Sequence, residues 1–143
     1  MSFLLDTNVV SETRKRARAL PAVMAWLASV PAAELYISAI TILELDQGRL
    51  SVARRDPAQG ELLRRWIEER VLTAFDGRIL PVDLRVVRRC ALLQVPDRRP
   101  VTDALIAATA LVHGLTVVTR NAHDFEPMNV PVIDPWLTAD KQT

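Results

Sequence analysis

The stretch Phe3-Leu4-Leu5-Asp6-Thr7-Asn8 sets the fold and carries the first candidate functional residue. Three consecutive apolar residues that end at an acid are typical of a short strand buried on both faces, as in a parallel sheet. Asp6 follows that strand, at the sheet edge where open α/β folds bind ligands. It could equally cap a helix that starts near Thr7 or Asn8, and this stretch alone leaves both roles open.

Short apolar runs of the same kind alternate with helical patterns along the rest of the chain. The patterns predict strands at 3–5, 35–37, 79–82, 115–118 and 130–133. They predict helices at about 20–30, 38–55, 58–73, 83–93 and 102–113, with Ser38, Asp83 and Thr102 as caps. We therefore expect one α/β domain over residues 1–143, in which helices flank a mainly parallel central sheet.

The composition is that of an ordinary globular domain. Of 143 residues, 50% are hydrophobic and only 4 are glycine, which excludes disordered and collagen-like classes. No apolar stretch is long enough to cross a bilayer, and no signal peptide is visible, so we expect a cytoplasmic protein without membrane association. The single cysteine, Cys90, fits that compartment and is expected in the core. A net charge of +1 indicates no particular partner.

Four acidic side chains stand out because turns and ion pairs do not account for them: Asp6, Glu44, Asp103 and Asp124. Two of them follow strands, and two lie near helix starts that face the same edge of the sheet. Four carboxylates at one edge repel one another unless a divalent cation joins them. Oxygen ligands without a histidine or cysteine cluster favour Mg²⁺ or Mn²⁺, so we expect a site that activates water and stabilises charge on a phosphate.

Glu44 is expected at the edge of an apolar helix stripe formed by Ile40, Leu43 and Leu50. An unpaired carboxylate there costs several kcal/mol unless a cation or hydrogen bonds compensate, and a salt bridge to an arginine is the alternative. Gly48 costs about 1 kcal/mol relative to alanine in a helix interior. We therefore expect another group to approach the backbone closely at Gly48.

Four linked motifs, in order along nearly the whole chain, resemble those of PIN-domain proteins. They are Leu4-Leu5-Asp6-Thr7-Asn8, Glu44-Leu45-x-x-Gly48, Thr102-Asp103-Ala104-Leu105-Ile106-Ala107 and Thr119-Arg120-Asn121-x-x-Asp124-Phe125. Within this family the chain most resembles VapC-type toxins of the FitB-like branch, which are small bacterial ribonucleases held inactive by an antitoxin. The resemblance implies a three-layer PIN-like fold. It also implies a metal-dependent endoribonuclease that hydrolyses RNA phosphodiester bonds with a metal-activated water, as the toxin of a type II toxin–antitoxin pair.

The resemblance carries over to individual positions of this chain. It implies an acidic site for Mg²⁺ or Mn²⁺ and catalysis at Asp6, Glu44, Asp103 and Asp124, with polar support from Thr7, Asn8, Thr119 and Asn121. Many relatives have an aspartate where this chain has Asn121, which favours one tightly held metal rather than two, although the substrate phosphate could complete a second metal site. The resemblance further implies a cognate antitoxin with a DNA-binding domain and a homodimer, two of which can meet in a larger complex with antitoxin.

Basic and apolar groups near these motifs predict contact surfaces. The basic residues are Arg14, Lys15, Arg16, Arg18, Arg98 and Arg99. Their place beside the acidic motifs favours guidance of RNA phosphates, and a solvated loop is the alternative. An apolar stripe of Leu62, Leu63, Trp66 and Ile67 predicts a contact with a second copy or with an antitoxin helix.

Other functions of this fold class lack their motifs. A haloacid dehalogenase-type hydrolase needs Asp-x-Asp after the first strand, but Asn8 stands at the second position. A response-regulator receiver needs a late lysine, and Lys15 and Lys141 are both poorly placed. A dinucleotide-binding domain needs a glycine-rich loop after a strand, and none is present. One non-enzymatic alternative stays open: a catalytically weak PIN-like module that acts with its antitoxin as a DNA-bound regulatory complex.

Overall fold

A parallel five-stranded sheet forms the centre of the molecule. The computed structural model describes residues 1–137. The strands are β1 (Phe3–Leu5), β2 (Leu35–Ser38), β3 (Ile79–Leu80), β4 (Thr116–Val118) and β5 (Val132–Ile133). They lie in the order β3-β2-β1-β4-β5, and every neighbouring pair is parallel. This confirms the predicted α/β class.

Helices connect the strands and cover both faces of the sheet. They are α1 (Thr7–Thr13), α2 (Pro21–Ala28), α3 (Ala39–Ala53), α4 (Pro57–Trp66), α5 (Leu72–Ala74), α6 (Leu84–Leu93), α7 (Val101–His113) and α8 (Ala122–Phe125). A π-helical segment at Ile67–Val71 joins α4 to α5. Short 3₁₀ turns occupy Arg16–Arg18, Ala32–Glu34 and Glu126–Met128.

The core consists of two clusters, one on each face of the sheet. Leu4 packs with buried residues of α6 and α7, whereas Phe3 and Leu5 pack with those of α1, α2 and the π-helical segment. This alternation follows from the strand period of two, and it explains why β1 is apolar at every position. Cys90 is buried in the first cluster, as predicted. Within residues 1–137, no helix has the length and apolar character needed to span a bilayer.

Several predicted boundaries shift for local reasons. The strands predicted at 79–82 and 130–133 each pair over only two residues, because Pro81 and Pro131 have no N–H for the ladder. Ser38 and Asp83 cap α3 and α6 as predicted. Thr102 does not cap α7, since that helix begins one residue earlier.

The buried face of α3 differs from the predicted stripe. Ile40 is buried as expected, but Leu43 and Leu50 are 45% and 54% exposed. Thr41 and Leu45 are buried instead. The stripe was therefore predicted on a wrong face, because Thr41 takes a core position that the apolar pattern assigns to a hydrophobic residue.

The close approach predicted at Gly48 occurs at another glycine. A Cβ added at Gly48 would meet nothing within 4 Å, so that prediction was wrong. At Gly60, an added Cβ would lie 2.5 Å from the Cβ of Ala53. The reason is that α4 folds back onto the end of α3, and only a residue without a side chain fits between the two helices.

Candidate active site

Asp6 is buried at the carboxyl edge of the sheet, where β1 and β4 end side by side. Leu5 pairs with Val118, and the Asp6 amide continues the ladder by donating to the Val118 carbonyl over 2.9 Å. One carboxylate oxygen of Asp6 accepts from the Thr7 amide at 2.8 Å, so the residue caps α1. The other accepts from the Thr119 hydroxyl at 2.8 Å. Both roles left open by the sequence are therefore combined: Asp6 caps a helix and lies at the sheet edge.

Asn8 and Thr119 hold the loops on either side of Asp6 together. The Asn8 amide group lies 3.2 Å from the Thr119 hydroxyl and 3.4 Å from Asp6, and its carbonyl oxygen accepts from the Arg120 backbone amide. The Thr119 hydroxyl also accepts from the backbone amide of Asn121 at 3.1 Å. Asn121 therefore joins this network through its backbone, whereas its exposed side chain makes no hydrogen bond within residues 1–137.

Glu44 is tied to the same end of the sheet through Thr7. The Thr7 hydroxyl donates to the Glu44 carboxylate at 2.7 Å. The hydroxyl of Thr41 lies 3.3 Å from the Thr7 hydroxyl. Among the described residues, Glu44 has no arginine or lysine partner within ion-pair distance. The salt bridge considered from the sequence is therefore absent from the described part of the chain.

The other two candidate carboxylates, Asp103 and Asp124, lie together at a separate cavity. Asp103 lies in the first turn of α7, half-buried, and Asp124 lies on α8 with a side chain that is 46% exposed. Both line one cavity of about 270 Å³. The imidazole of His123, which also lines this cavity, lies 3.1 Å from the Asp124 carboxylate.

The pKa values of two of these carboxylates, Asp6 and Asp103, are raised. Burial raises the pKa of Asp6 above its ordinary value, and the charges of Glu44 and Asp124 add to the increase. Hydrogen bonds from Thr119 and Thr7 oppose this effect without cancelling it. Burial likewise raises the pKa of Asp103, with contributions from Asp6 and Asp124. The ionised forms are thus disfavoured unless positive charge enters the site.

The donor set fits a hard divalent cation. Asp6, Glu44, Asp103 and Asp124 offer carboxylate oxygens, and oxygen donors of this kind suit Mg²⁺ or Mn²⁺. Within residues 1–137, no three acidic, histidine or cysteine side chains lie close enough to form a ready-made metal cage. Asp6 and Glu44 meet through Thr7, and Asp103 and Asp124 meet across the cavity.

Two of the predicted basic residues lie at the acidic cavity. Arg98 and Arg99 line it together with Asp103 and Asp124. The Gln94 side chain forms two hydrogen bonds with the backbone of Arg99. Its Nε2 donates to the Arg99 carbonyl at 2.9 Å, and its Oε1 accepts from the Arg99 backbone N–H at 2.6 Å. The Nε atom of Arg99 is buried without a hydrogen-bond partner in the described chain.

The predicted basic run at 14–18 is divided by the structure. Lys15 forms an ion pair with buried Glu12 at 2.9 Å, and Glu12 also accepts from the Leu20 amide. These hydrogen bonds hold the pKa of Glu12 below its ordinary value. Arg14 instead lines a groove of about 210 Å³ that includes Thr7 and Glu44. Lys15 is therefore engaged in an ion pair, whereas Arg14 lines the same groove as Glu44.

Sequence reasoning missed Thr41 and Gln94. Thr41 had one available signal, since a threonine three residues before Glu44 lies on the same helix face. Gln94 had none, because its partner is set by the closure of the loop 95–99. The apolar stripe predicted at 62–67 is also divided: Leu62 is 58% exposed, but Ile67 is buried and Leu63 and Trp66 are half-buried in the groove.

Comparison with known proteins gives a consistent family. The PIN domain family model matches residues 3–128. A VapC ribonuclease of Sinorhizobium fredii is 38% identical over 96% of this chain and 99% of its own length. Toxin FitB of Neisseria gonorrhoeae is 39% identical over 94% and 98%.

Solved structures agree with these relatives. The crystal structure of FitAcB from Neisseria gonorrhoeae superimposes with a TM-score of 0.85 at 36% identity, covering 95% of this chain and 99% of that one. A structure of FitAB bound to a DNA fragment gives a TM-score of 0.83 at 35% identity, covering 95% and 96%.

Proposed function

The chain belongs to the PIN-domain family, and we propose that it is an endoribonuclease, the toxin of a bacterial type II toxin–antitoxin pair. The observation that carries the proposal is the buried Asp6 at the carboxyl edge of the sheet. Its pKa is raised by burial and by neighbouring carboxylates, although hydrogen bonds fix both of its oxygens. Such an arrangement suits a site that receives a cation and a phosphate. Because the proposed substrate is RNA, we also propose that the protein acts in the cytoplasm.

We infer that Asp6, Glu44, Asp103 and Asp124 hold Mg²⁺ or Mn²⁺. When bound, the ion supplies an activated water and stabilises the charge that develops on the phosphate. The chain itself supplies the orientation of the ligands. Thr7 and Thr119 fix the Asp6 carboxylate, and the Thr7 hydroxyl fixes that of Glu44. The uncharged, exposed Asn121 favours one tightly held ion over two.

Arg98 and Arg99 are proposed to bind the phosphate backbone of the RNA beside the acidic residues. Both residues line the cavity that contains Asp103 and Asp124, and a guanidinium group forms strong, charge-assisted hydrogen bonds with phosphate oxygens. Gln94 keeps the backbone of Arg99 in place. This arrangement would let a negatively charged chain enter a site that is itself acidic.

The proposal is tested by cleavage of single-stranded RNA with protein freed of antitoxin, in Mg²⁺, Mn²⁺ or chelator. We expect metal-dependent cleavage that falls to background in Asp6→Asn and Asp103→Asn. Asp76→Asn is the matched control, because Asp76 is exposed before β3, at the opposite edge of the sheet. Cleavage that survives both chelator and the two site substitutions would contradict the proposal. A folded wild type that cleaves no RNA with either metal would favour the regulatory module instead.

We propose a DNA-binding antitoxin and a second copy of the chain as partners. Relatives of this chain have been solved as FitAB and VapBC complexes, some of them with DNA. The exposed apolar side chains of Leu84, Val87 and Leu92 on α6 provide area for such contacts. Light scattering of the isolated chain at micromolar concentration should give the mass of a dimer, and a strictly monomeric mass would contradict it.

A further inference from the structure

A second depression lies next to the candidate active site and has a different character. Its volume is about 260 Å³, and its lining consists of Thr13, Arg14, Arg16, Trp66 and Arg70. It thus brings three guanidinium groups and one indole together, with no acidic side chain in the lining. Such a combination suits a ligand that has both negative charge and a flat aromatic group.

The three arginines of this depression are free of acidic partners. Within residues 1–137, the side chains of Arg14, Arg16 and Arg70 form no ion pair or hydrogen bond. Elsewhere on the same helical run, Arg64 and Arg65 are each paired with glutamates. The charge of the depression is therefore not neutralised by the described part of the chain.

The backbone on both sides of the depression is unusual. Trp66 is the last residue of α4, and Arg70 follows one turn later in the π-helical segment. Such segments are rare and occur often at functional sites. On the other side, Arg16 has a φ of 53°, a left-handed conformation that is unfavourable for an arginine.

Buried Glu12 supports the loop that carries Arg14 and Arg16. It accepts from Lys15 at 2.9 Å and from the Leu20 amide at 3.0 Å, so it joins both ends of the loop to α1. Lys15 is engaged in this anchor. The two neighbouring arginines are left exposed.

The depression is continuous with the candidate active site. Arg14 and Trp66 line both the depression and the groove that contains Thr7 and Glu44. A polymer that runs from the carboxylates along this groove would pass Arg14 and then reach Trp66. A small anion would occupy only one part of this connected surface, whereas a polymer can occupy both.

We propose that this depression is an RNA subsite, in which Trp66 stacks on one base while Arg14, Arg16 and Arg70 bind the flanking phosphates. The inference rests on the proposed ribonuclease function and adds to it a base-stacking subsite beside the acidic residues. A base can reach the indole only if it is unpaired, so the subsite selects single-stranded RNA. Sequence is not read here, because stacking and phosphate contacts tolerate every base.

Binding of a fluorescently labelled single strand of about 12 nucleotides, measured by anisotropy in chelator, tests the phosphate contacts without cleavage. Arg70→Ala and Arg16→Ala should each weaken binding and lower the slope of log Kd against log salt by about 0.7. The matched control is Arg88→Ala, on α6 at the opposite face of the sheet, which removes the same charge. Unchanged slopes in both variants, or an equal loss in the control, would overturn the proposal.

Trp66→Leu tests the stacking contact and should weaken binding about tenfold while the salt slope stays unchanged. Trp66→Phe keeps an aromatic face and should retain most of the affinity. Because Trp66 is half-buried, thermal unfolding must show that each variant is folded. If Trp66→Leu is unfolded, the affinities of Trp66→Phe for single-stranded and double-stranded RNA are compared instead, and a preference for the single strand supports stacking. Equal affinity of the folded Leu and Phe variants, or no preference of wild type for single strands, would overturn the stacking role.

The failure of this subsite is distinct from that of the proposed function. Metal-dependent cleavage with unchanged binding in all four variants would leave the ribonuclease intact and overturn the subsite. Weakened binding in Arg70→Ala, Arg16→Ala and Trp66→Leu, together with no cleavage by wild type, would support the subsite and contradict the nuclease. Variants that bind RNA normally but no longer bind the antitoxin would assign the depression to a protein contact and overturn the proposal.

Discussion

The hydroxyl of Thr7 donates to the carboxylate of Glu44 over 2.7 Å and so joins the first turn of α1 to α3. The backbone amide of the same threonine donates to Asp6 over 2.8 Å. One residue thus orients two of the four carboxylates. Because the hydroxyl bond spans 37 positions of the chain, it also fixes the position of α3 relative to the sheet edge.

Thr7→Val removes the hydroxyl but keeps the shape of the side chain and the amide bond to Asp6. We expect RNA cleavage to fall about 10–100-fold, because Glu44 loses the donor that orients it. Thr7→Ser keeps the hydroxyl and should retain most of the activity. Equal activity of the Val and Ser variants in a cleavage assay would show that this bond has no positioning role.

Asp6→Asn should stabilise the metal-free protein at neutral pH. The folded-state pKa of Asp6 lies above its unfolded value, so the ionised carboxylate destabilises the fold above that folded-state pKa. The difference in melting temperature between variant and wild type should shrink as the pH falls and vanish below the unfolded value of about 3.9. Asp76→Asn serves as the control for the removal of one exposed carboxylate. A variant that is less stable than wild type at pH 7 in chelator would refute this expectation.

Saturating Mg²⁺ or Mn²⁺ should raise the melting temperature of wild type. Binding to the folded state alone contributes about 2.7 kcal/mol when the ion is at one hundred times its Kd. The shift should be much smaller in Asp6→Asn and Asp103→Asn, measured by calorimetry at constant ionic strength. A shift of the same size in every variant would indicate a general salt effect.

Gly60→Ala and Gly48→Ala form a matched pair of helix substitutions with opposite expected signs. At Gly60 the new methyl group would overlap Ala53, and we expect a loss of about 1–3 kcal/mol in the free energy of unfolding. At Gly48 the methyl group meets nothing, and the gain in helix propensity should stabilise the fold by about 0.5–1 kcal/mol. Urea unfolding midpoints measure both. The same sign for the two variants would contradict the described packing of α3 and α4.

Gln94→Ala removes both hydrogen bonds that hold the Arg99 backbone. We expect KM for RNA to rise several-fold while kcat changes little, because the affected group binds substrate and not the reacting atoms. Gln47→Ala, on the exposed side of α3, is the control. A loss confined to kcat would place Gln94 in the chemistry instead.

The class of fold and the place of Asp6 at the carboxyl edge of the sheet could be predicted from the sequence alone. The reason is that these features are local. The apolar run Phe3–Leu5 must be buried on both faces, and the residue after it must stand at the carboxyl end of a strand. The same logic applies to Thr119 after β4, so the neighbourhood of Asp6 and Thr119 follows once the two strands are parallel and paired. Caps such as Ser38 and Asp83 depend on adjacent residues only and could be predicted as well.

Contacts between residues far apart in the chain could not be predicted from the sequence and are seen only in the folded molecule. The 3.6-residue period of α3 fits more than one buried face, and the contact of Thr41 with Thr7, 34 positions away, selects the actual one. The glycine at a close helix contact is Gly60 and not Gly48. The sequences of α3 and α4 do not specify the angle between these two helices, so this contact could not be predicted. Tertiary packing also determines which basic side chains form ion pairs. Lys15 pairs with buried Glu12, whereas Arg14 lines the groove that contains Glu44. Packing between distant segments selects among faces and partners that each segment alone would accept equally well.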